Sequence, residues 1–208
     1  MIKPSIILMA KPPIAGKVKT RLTTYYSEAH ATEIYKQLLL YTAQWINELS
    51  VNWVKVLAVA EQQPHHFFDH LAFACWQRYL QQGKDLGERM ANAVQQYIQP
   101  NQPVILVGGD CPGLTAPLIQ QVVEKLHDEP ELSNNNEVVI IPAEDGGYVL
   151  IGMRQFHPCI FENIQWGTEQ VLSQTVSQLE SSHIPYSLFS PLWDVDRPED
   201  YQRWCNEY

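Results

Sequence analysis

Short apolar segments alternate with amphipathic segments along the chain, and this alternation restricts the possible fold more than any other feature of the sequence. Residues 5–10 form a continuous apolar run that ends at Lys11-Pro12-Pro13, as a buried strand would. From residue 27 to residue 49, apolar side chains recur at steps of three and four, which predicts one face of a long helix. Strands that alternate with helices form a largely parallel sheet with helices on both faces.

The rest of the chain continues this pattern. Apolar runs predict further strands at residues 53–60, 103–107, 137–141, 147–153 and 185–189. Helical spacing predicts further helices at residues 86–97, 117–126, 168–179 and 198–208. A chain of 208 residues is long enough for one sizeable core, so we expect a single domain over residues 1–208. The predicted fold class is α/β, with three α/β/α layers, a mostly parallel central sheet and a Rossmann-like arrangement.

Composition excludes several classes of function. The formal net charge of -9 would repel a nucleic-acid backbone, and no basic stripe offsets it, so we expect no nucleic-acid partner. The apolar run at residues 6–10 is too short for a signal sequence or a membrane span, which predicts a cytoplasmic protein without a membrane partner. The four cysteines lie far apart in sequence, so we expect free thiols and no structural zinc.

A basic loop follows the first predicted strand. It contains Lys11, Lys17, Lys19 and Arg21, with Gly16 at a position where backbone amides can approach an anion. Such a loop can neutralise phosphates, although it can also be a solvated basic loop. It is not a Walker A loop, because Lys11 and Val18 occupy positions where that motif has glycine and Ser or Thr.

An aspartate closes the central predicted strand. Asp110 follows Gly108 and Gly109 and precedes Cys111-Pro112, which places a carboxylate on a short turn at the ligand-binding edge of the sheet. A hard divalent cation such as Mg²⁺ or Mn²⁺ binds carboxylate oxygens and shares its ligands with substrate phosphates. The alternative is a turn aspartate that bonds to its own backbone.

Two adjacent acids precede a pair of glycines in the segment Glu144-Asp145-Gly146-Gly147-Tyr148. Either acid can orient an acceptor hydroxyl or act as a base, so we take both as catalytic candidates together with Asp110. A plain hairpin turn of the Asp-Gly type is the alternative.

Two further aspartates, Asp194 and Asp196, lie just before the last predicted helix, which opens at Pro198. In an extended segment they share one face. We expect one of them to cap the helix and the other to complete a metal site with Asp110.

The order of these motifs resembles the nucleotide-diphospho-sugar transferase superfamily, which has the A-type glycosyltransferase fold. The likeness rests on the sequences K-T-R-L, G-G-D-C-P-G, E-D-G-G-Y and D-V-D-R-P-E-D and includes residues 82–90 and 166–169. Within the superfamily, the chain is most similar to a bacterial family of unknown function usually labelled glycosyltransferase, some of whose members are associated with arsenosugar biosynthesis. It is also similar to cytoplasmic nucleotidyltransferases, but it lacks the G-x-G-T-R loop of sugar-nucleotide pyrophosphorylases.

The resemblance implies roles for particular residues. Phosphate binding would fall to Gly16, Lys17, Lys19 and Arg21, and metal binding to Asp110 and Asp196. The segments that carry the likeness also supply candidate substrate-binding residues, namely Gly83, Gly109, Gly146, Gly147, Tyr148 and Trp166.

The sequence therefore predicts a transferase. The leading hypothesis is a metal-dependent glycosyltransferase that uses Mg²⁺ or Mn²⁺ and moves a sugar from a nucleotide-sugar donor to a small acceptor. The first alternative is a nucleotidyltransferase that joins a nucleoside triphosphate to a small phosphorylated compound. The second is a non-catalytic nucleotide-binding domain. The sequence leaves open whether the protein forms a homodimer.

Overall fold

The structure, a computed structural model, describes residues 3–60, 65–127 and 137–207 and contains one sheet of seven strands. The strands lie in the order β3-β2-β1-β4-β6-β5-β7, and β6 alone among them runs antiparallel to its neighbours. Their ranges are β1 Ser5–Ala10, β2 Val54–Val59, β3 Gln77–Leu80, β4 Val104–Val107, β5 Val138–Pro142, β6 Tyr148–Met153 and β7 Tyr186–Leu188. This sheet confirms the predicted α/β class with a mostly parallel centre.

Five α-helices accompany the sheet in the described part of the chain. They are α1 Glu28–Glu48, α2 Leu86–Tyr97, α3 Ala116–His127, α4 Val171–Ser181 and α5 Pro198–Glu207. The α1 helix begins where the Ser27 hydroxyl accepts a hydrogen bond from the His30 amide, and α2 begins where Asp85 does the same for Glu88. None of these helices combines the length and the apolar character that a membrane span needs.

The two faces of the sheet bury different helices. Successive side chains of a strand point to opposite faces, so Ile6 and Leu8 of β1 pack with α1 and α3, whereas Ile7 packs with α2 and α4. A third, smaller cluster joins the early part of α1 to Trp193 and Val195, and α5 adds Tyr201 and Trp204 to it. The predicted three layers are therefore present, and the third cluster ties the last helix to the start of the first.

Two sequence predictions differ from the structure, and the end of a third lies outside the described residues. The β3 strand was not predicted, because it is a short edge strand whose side chains are mostly exposed and polar. The α4 helix begins at Val171 rather than residue 168, because Thr168 forms a turn in which its hydroxyl accepts the Gln170 amide. The predicted last helix begins at Pro198, and its final residue, Tyr208, lies outside the described residues.

Candidate active site

A cleft of about 1000 Å³ opens at the edge of the sheet where β1 and β4 end and β6 begins. Its walls are the basic loop after β1, the turn after β4, the β5–β6 hairpin, the start of α2 and the segment after β7. Ligands of open α/β sheets bind at this edge. The predicted site residues that line the cleft are Lys11, Lys17, Lys19, Arg21, Gly109, Asp110, Glu144, Asp145, Gly147, Tyr148, Trp166, Asp194 and Asp196.

Lys19 lies at the centre of the charged side of this cleft. Its side chain is only 7% exposed, and its ammonium nitrogen lies 2.8 Å from an Asp110 oxygen and 3.7 Å from an Asp196 oxygen. Burial opposes the charged form of Lys19, but the carboxylates of Asp110, Asp196 and Asp194 together outweigh that effect and raise its pKa. Lys19 also has a left-handed backbone, with a φ of 46°, which is strained for any residue other than glycine.

Arg21 makes the second ion pair of this region. One of its guanidinium nitrogens lies 2.5 Å from Asp196, and this carboxylate raises the pKa of Arg21. The side chain is 57% exposed, so much of the guanidinium faces solvent. Lys19 and Arg21, which were predicted to bind phosphate, therefore lie against Asp110 and Asp196, which were predicted to bind metal.

The segment after β7 reaches Asp110 through backbone hydrogen bonds. The Leu192 amide donates to the Pro142 carbonyl at the end of β5, and the Val195 amide donates to the Asp110 carbonyl at 2.9 Å. Because neighbouring side chains alternate in an extended segment, Val195 packs into the core while Asp194 and Asp196 line the cleft. We call Lys19, Arg21, Asp110, Asp194 and Asp196 the charged half of the cleft.

Asp194 and Asp196 occupy different environments. Asp196 pairs with Arg21 and Lys19, whereas the structure gives the Asp194 carboxylate no hydrogen-bond partner among the described residues. Burial, followed by the charge of Asp110, raises the pKa of Asp194 to about 7. Asp194 is thus a partly buried carboxylate that lacks a counter-charge of its own.

The charged half could hold a divalent cation only together with oxygen atoms of a bound substrate. No group of three or more His, Cys, Asp or Glu side chains in the described parts of the chain is arranged to hold a metal ion. Mg²⁺ commonly takes only one or two carboxylates and completes its shell with waters and substrate phosphates. Asp110 and Asp194 fit this type of site, because both line the cleft, the charge of Asp110 acts on Asp194, and burial leaves Asp194 without a hydrogen-bond partner among the described residues.

The expectation that Asp194 or Asp196 caps the last helix is wrong. The Asp200 carboxylate, in the first turn of α5, accepts hydrogen bonds from the Asp196 and Arg197 amides at 3.1 and 2.6 Å. Asp200 therefore reaches back from the first turn to the backbone amides just before the helix, as the acid of a capping box does. Both earlier aspartates remain available to the cleft.

Glu144 and Asp145 lie on the turn of the hairpin between β5 and β6. The Gly147 amide donates to Asp145 at 3.0 Å, so the predicted turn is present. Asp145 also lines the cleft, where its charge acts on Arg21 and Asp194. Glu144 lies further out, 3.6 Å from Arg203, whose guanidinium stacks over the ring of Trp193. Of the two acids, Asp145 is the closer to the charged half.

Aromatic and apolar side chains line another part of the cleft. The rings of Tyr148 and Trp166 meet edge to face with centroids 6.3 Å apart, and Leu86, Arg89 and Met90 line the same cleft from α2. A Cβ on Gly87 would lie 2.5 Å from the Trp166 ring nitrogen, so the indole packs directly on the first turn of α2. We call Leu86, Met90, Tyr148 and Trp166 the aromatic half, and the charged Arg89 lies beside them on α2.

Three predicted glycines do not line the cleft and have structural positions instead. Gly16 and Gly146 have positive φ angles, and a Cβ on Gly146 would lie 2.2 Å from the Glu169 carbonyl. Gly83 has a φ of 139°, and a Cβ there would collide with Glu88. Each glycine permits a turn that shapes a wall of the cleft.

Several residues that line the cleft were not predicted as site residues from the sequence. Arg89 and Gln81 lie in or beside the quoted segment at residues 82–90, but nothing in their spacing indicates a role. Tyr35 appears in the sequence only as one apolar position of a helix, yet it reaches the cleft from α1. The cleft is also lined by four further residues that were not predicted, namely Thr168, Glu169, Arg197 and Asp200.

Comparisons with other proteins agree with this architecture. The family described as "Uncharacterized protein conserved in bacteria (DUF2064)" matches residues 47–168. A "putative nucleotide-diphospho-sugar transferase" from Desulfovibrio desulfuricans G20 is 30% identical, with a TM-score of 0.83 over 95% of this chain and 84% of that one. Comparison with curated proteins gives no match.

More distant structures share the fold. A 4-diphosphocytidyl-2C-methyl-D-erythritol synthase has a TM-score of 0.62 at 9% identity, covering 98% of this chain and 97% of that one. A CMP:2-keto-3-deoxy-manno-octonic acid synthetase complexed with CTP has a TM-score of 0.60 at 8% identity, covering 97% of this chain and 96% of that one.

Proposed function

The chain belongs to the bacterial DUF2064 family and has the fold of the nucleotide-diphospho-sugar transferases, and from this we propose that it is a metal-dependent glycosyltransferase. It would move a sugar from a nucleotide-sugar donor to a small acceptor. The observation that carries the proposal is the convergence of Lys19 and Arg21 with Asp110 and Asp196 in one cleft.

The charged half would bind the diphosphate of the donor. Lys19 and Arg21 supply positive charge, and Asp110 and Asp194 would hold Mg²⁺ or Mn²⁺ against the phosphate oxygens. A bound cation of this kind stabilises negative charge on a leaving group. The ion pair with Asp110 holds the Lys19 ammonium in place, so little reorganisation is needed when charge develops.

The reaction would transfer the sugar to a hydroxyl group of the acceptor. The acceptor oxygen forms a bond to the anomeric carbon, and the bond from that carbon to the diphosphate oxygen breaks. The leaving nucleoside diphosphate keeps the bonding electrons, and the hydroxyl proton passes to a base. Asp145 suits the role of base or positioning group because it lies on the hairpin wall, close enough to the charged half for its charge to act on Arg21 and Asp194.

The aromatic half would contact the less charged parts of the substrates. Sugars and nucleobases both present faces that pack on aromatic rings, and Tyr148 and Trp166 form such a surface. The cleft volume of about 1000 Å³ is at the upper end of typical small-molecule sites, which suits two substrates bound together.

Nucleotidyl transfer is the second candidate. Lys11 and Lys17 line the same cleft as Lys19 and Arg21, and four cations suit the greater charge of a triphosphate. Against this, the loop glycine that could bring backbone amides to phosphates, Gly16, does not line the cleft. We therefore place glycosyl transfer first.

A thermal-shift panel followed by product analysis tests the proposal. A ligand that binds only the folded state raises the melting temperature, so UDP- or GDP-sugars with Mg²⁺ should stabilise the protein more than nucleoside triphosphates do. The bound donor is then incubated with a mixture of small hydroxyl compounds. Release of nucleoside diphosphate supports glycosyl transfer, and release of pyrophosphate from a triphosphate supports nucleotidyl transfer. No shift with any nucleotide at millimolar concentration would favour a non-catalytic domain.

A further inference from the structure

Tyr35 extends from α1 to the floor of the cleft. Its side chain is 8% exposed, and its ring packs in the core cluster that α1 shares with β1 and β4. It nevertheless belongs to the lining of the cleft, beside the end of β1. A polar group this deeply buried is expected to have its hydrogen bonds satisfied.

The Tyr35 hydroxyl uses only part of its hydrogen-bonding capacity. Its oxygen accepts a hydrogen bond from the Lys11 amide at 3.0 Å. A phenol can also donate its proton, but the structure shows no acceptor for that proton among the described residues. The Asp110 carboxylate affects Tyr35 only through its charge, and one of its oxygens is bound by Lys19.

Tyr41 on the same helix provides a contrast. Its hydroxyl donates to the carbonyl of Pro112, at 3.3 Å, and Tyr41 does not line the cleft. Burial, with a smaller contribution from Asp110, raises the pKa of Tyr35 well above its usual range. Tyr35 therefore stays protonated and keeps a hydroxyl donor at the lining of the cleft.

We propose that the Tyr35 hydroxyl donates a hydrogen bond to a phosphate oxygen of the bound nucleotide. The inference rests on the proposed function, because it takes the cleft to be a nucleotide site. A phosphate oxygen fits this position because Lys11 and Lys19 line the same region. The Lys11 amide would then act on the phosphate through the hydroxyl, in a chain of two hydrogen bonds that strengthen each other.

Calorimetric titration of the full chain with inorganic pyrophosphate and Mg²⁺ tests this inference. Tyr35→Phe removes the hydroxyl and keeps the ring, and it should weaken pyrophosphate binding about tenfold, as expected for a hydrogen bond to a charged group. Tyr41→Phe is the matched control from the same helix, and it should bind pyrophosphate as the wild type does. The melting temperature of each variant shows whether it folds.

A nucleoside without phosphates separates a direct contact from a structural role. If Tyr35 contacts phosphate, Tyr35→Phe and the wild type bind the nucleoside equally. Equal pyrophosphate affinities, or a parallel loss of nucleoside and pyrophosphate binding, would overturn the inference and leave the proposed function intact. Failure of the wild type to bind pyrophosphate or any nucleotide would overturn both. A wild-type crystal structure with pyrophosphate gives an independent check, because a phosphate oxygen should lie within hydrogen-bond distance of Tyr35 Oη.

Discussion

The charged half and the aromatic half of the cleft are built on different principles. In the charged half, ion pairs between distant parts of the sequence hold the side chains in place, as Lys19 does with Asp110 and Asp196. In the aromatic half, packing holds the side chains in place. The Trp166 ring, for example, lies directly on Gly87 at the start of α2. Substitutions that remove a charge from the charged half should therefore lower turnover and metal binding. Substitutions that change the size of a side chain in the aromatic half should mainly weaken substrate binding.

Loss of the Asp110 carboxylate should have the largest effect. Asp110→Asn keeps the size of the side chain but removes a proposed metal ligand and the closest partner of Lys19. We expect turnover to fall by about 10³-fold, comparable to the loss of other preorganised electrostatic groups in enzymes. Steady-state kinetics with the donor identified by the thermal-shift panel measures the change.

The exposed Asp69, which does not line the cleft, provides the control for this prediction. Asp69→Asn should retain wild-type turnover. Circular dichroism should show that both variants are folded. Full activity in Asp110→Asn would show that the Asp110 carboxylate does not take part in the reaction and would contradict the role proposed for the charged half.

Asp194 provides the second test, because burial and the charge of Asp110 destabilise its ionised carboxylate when no metal is bound. Its pKa is raised from 3.8 to about 7 by burial and by Asp110, so ionisation destabilises the folded state. This penalty is absent below about pH 4, grows between pH 4 and pH 7 and is constant above. In EDTA at pH 8, Asp194→Asn should therefore be more stable than the wild type by roughly 2 to 4 kcal/mol.

The same substitution should abolish the stabilisation that Mg²⁺ gives in the presence of nucleotide. Asp196→Asn is the matched control, since it removes the partner of Arg21 and should bring no gain in stability at high pH. Melting temperatures measured between pH 4 and pH 8 follow both effects. An Asp194→Asn variant that is less stable than the wild type at pH 8 would contradict this description of the charged half.

The backbone strain at Lys19 predicts a smaller effect on stability. Lys19→Gly and Lys19→Ala both remove the ammonium group, but only glycine adopts the left-handed conformation without a steric penalty. We expect the glycine variant to be more stable than the alanine variant by about 1 kcal/mol in urea unfolding.

Lys17 provides the control pair, because its backbone φ is not positive. At this position glycine should be no more stable than alanine. If alanine is as stable as glycine at position 19, the strain at Lys19 has no energetic consequence.

Trp166 tests the aromatic half and should show the smallest effect. Trp166→Phe keeps an aromatic surface but reduces its area, so KM should rise about three- to tenfold while kcat changes little. Trp204 lies on α5, packs against the third core cluster and does not line the cleft, so Trp204→Phe should leave both constants unchanged. An unchanged KM in Trp166→Phe would show that this half does not contact substrate.

The sequence predicts the two halves unequally. The strand runs and the motifs after them place Asp110, Lys19 and Asp196 at one sheet edge, because the ends of parallel strands share an edge. It does not distinguish Asp194 from Asp196, because their difference arises from Arg21 and from burial by distant segments. The helix cap was also misassigned, since Asp200 and the two earlier aspartates are equally plausible from spacing alone.

Other features depend on tertiary packing and leave little local signal. The β3 strand has neither a continuous apolar run nor clear alternation, and it pairs with β2 over only four residues. Tyr35 has the spacing of an ordinary core residue, and its polar role follows only from the position of the Lys11 amide. Contacts of this kind cannot be read from periodicity.

Anomalous diffraction from a crystal soaked with Mn²⁺ and a nucleoside diphosphate would locate the metal and the phosphates relative to the charged half. We expect one manganese peak within coordination distance of Asp110 and Asp194 and of the diphosphate, with Lys19 and Arg21 beside the phosphate oxygens. A nucleotide bound outside this cleft, or a manganese peak that Asp110 does not contact, would contradict the proposed function of the charged half.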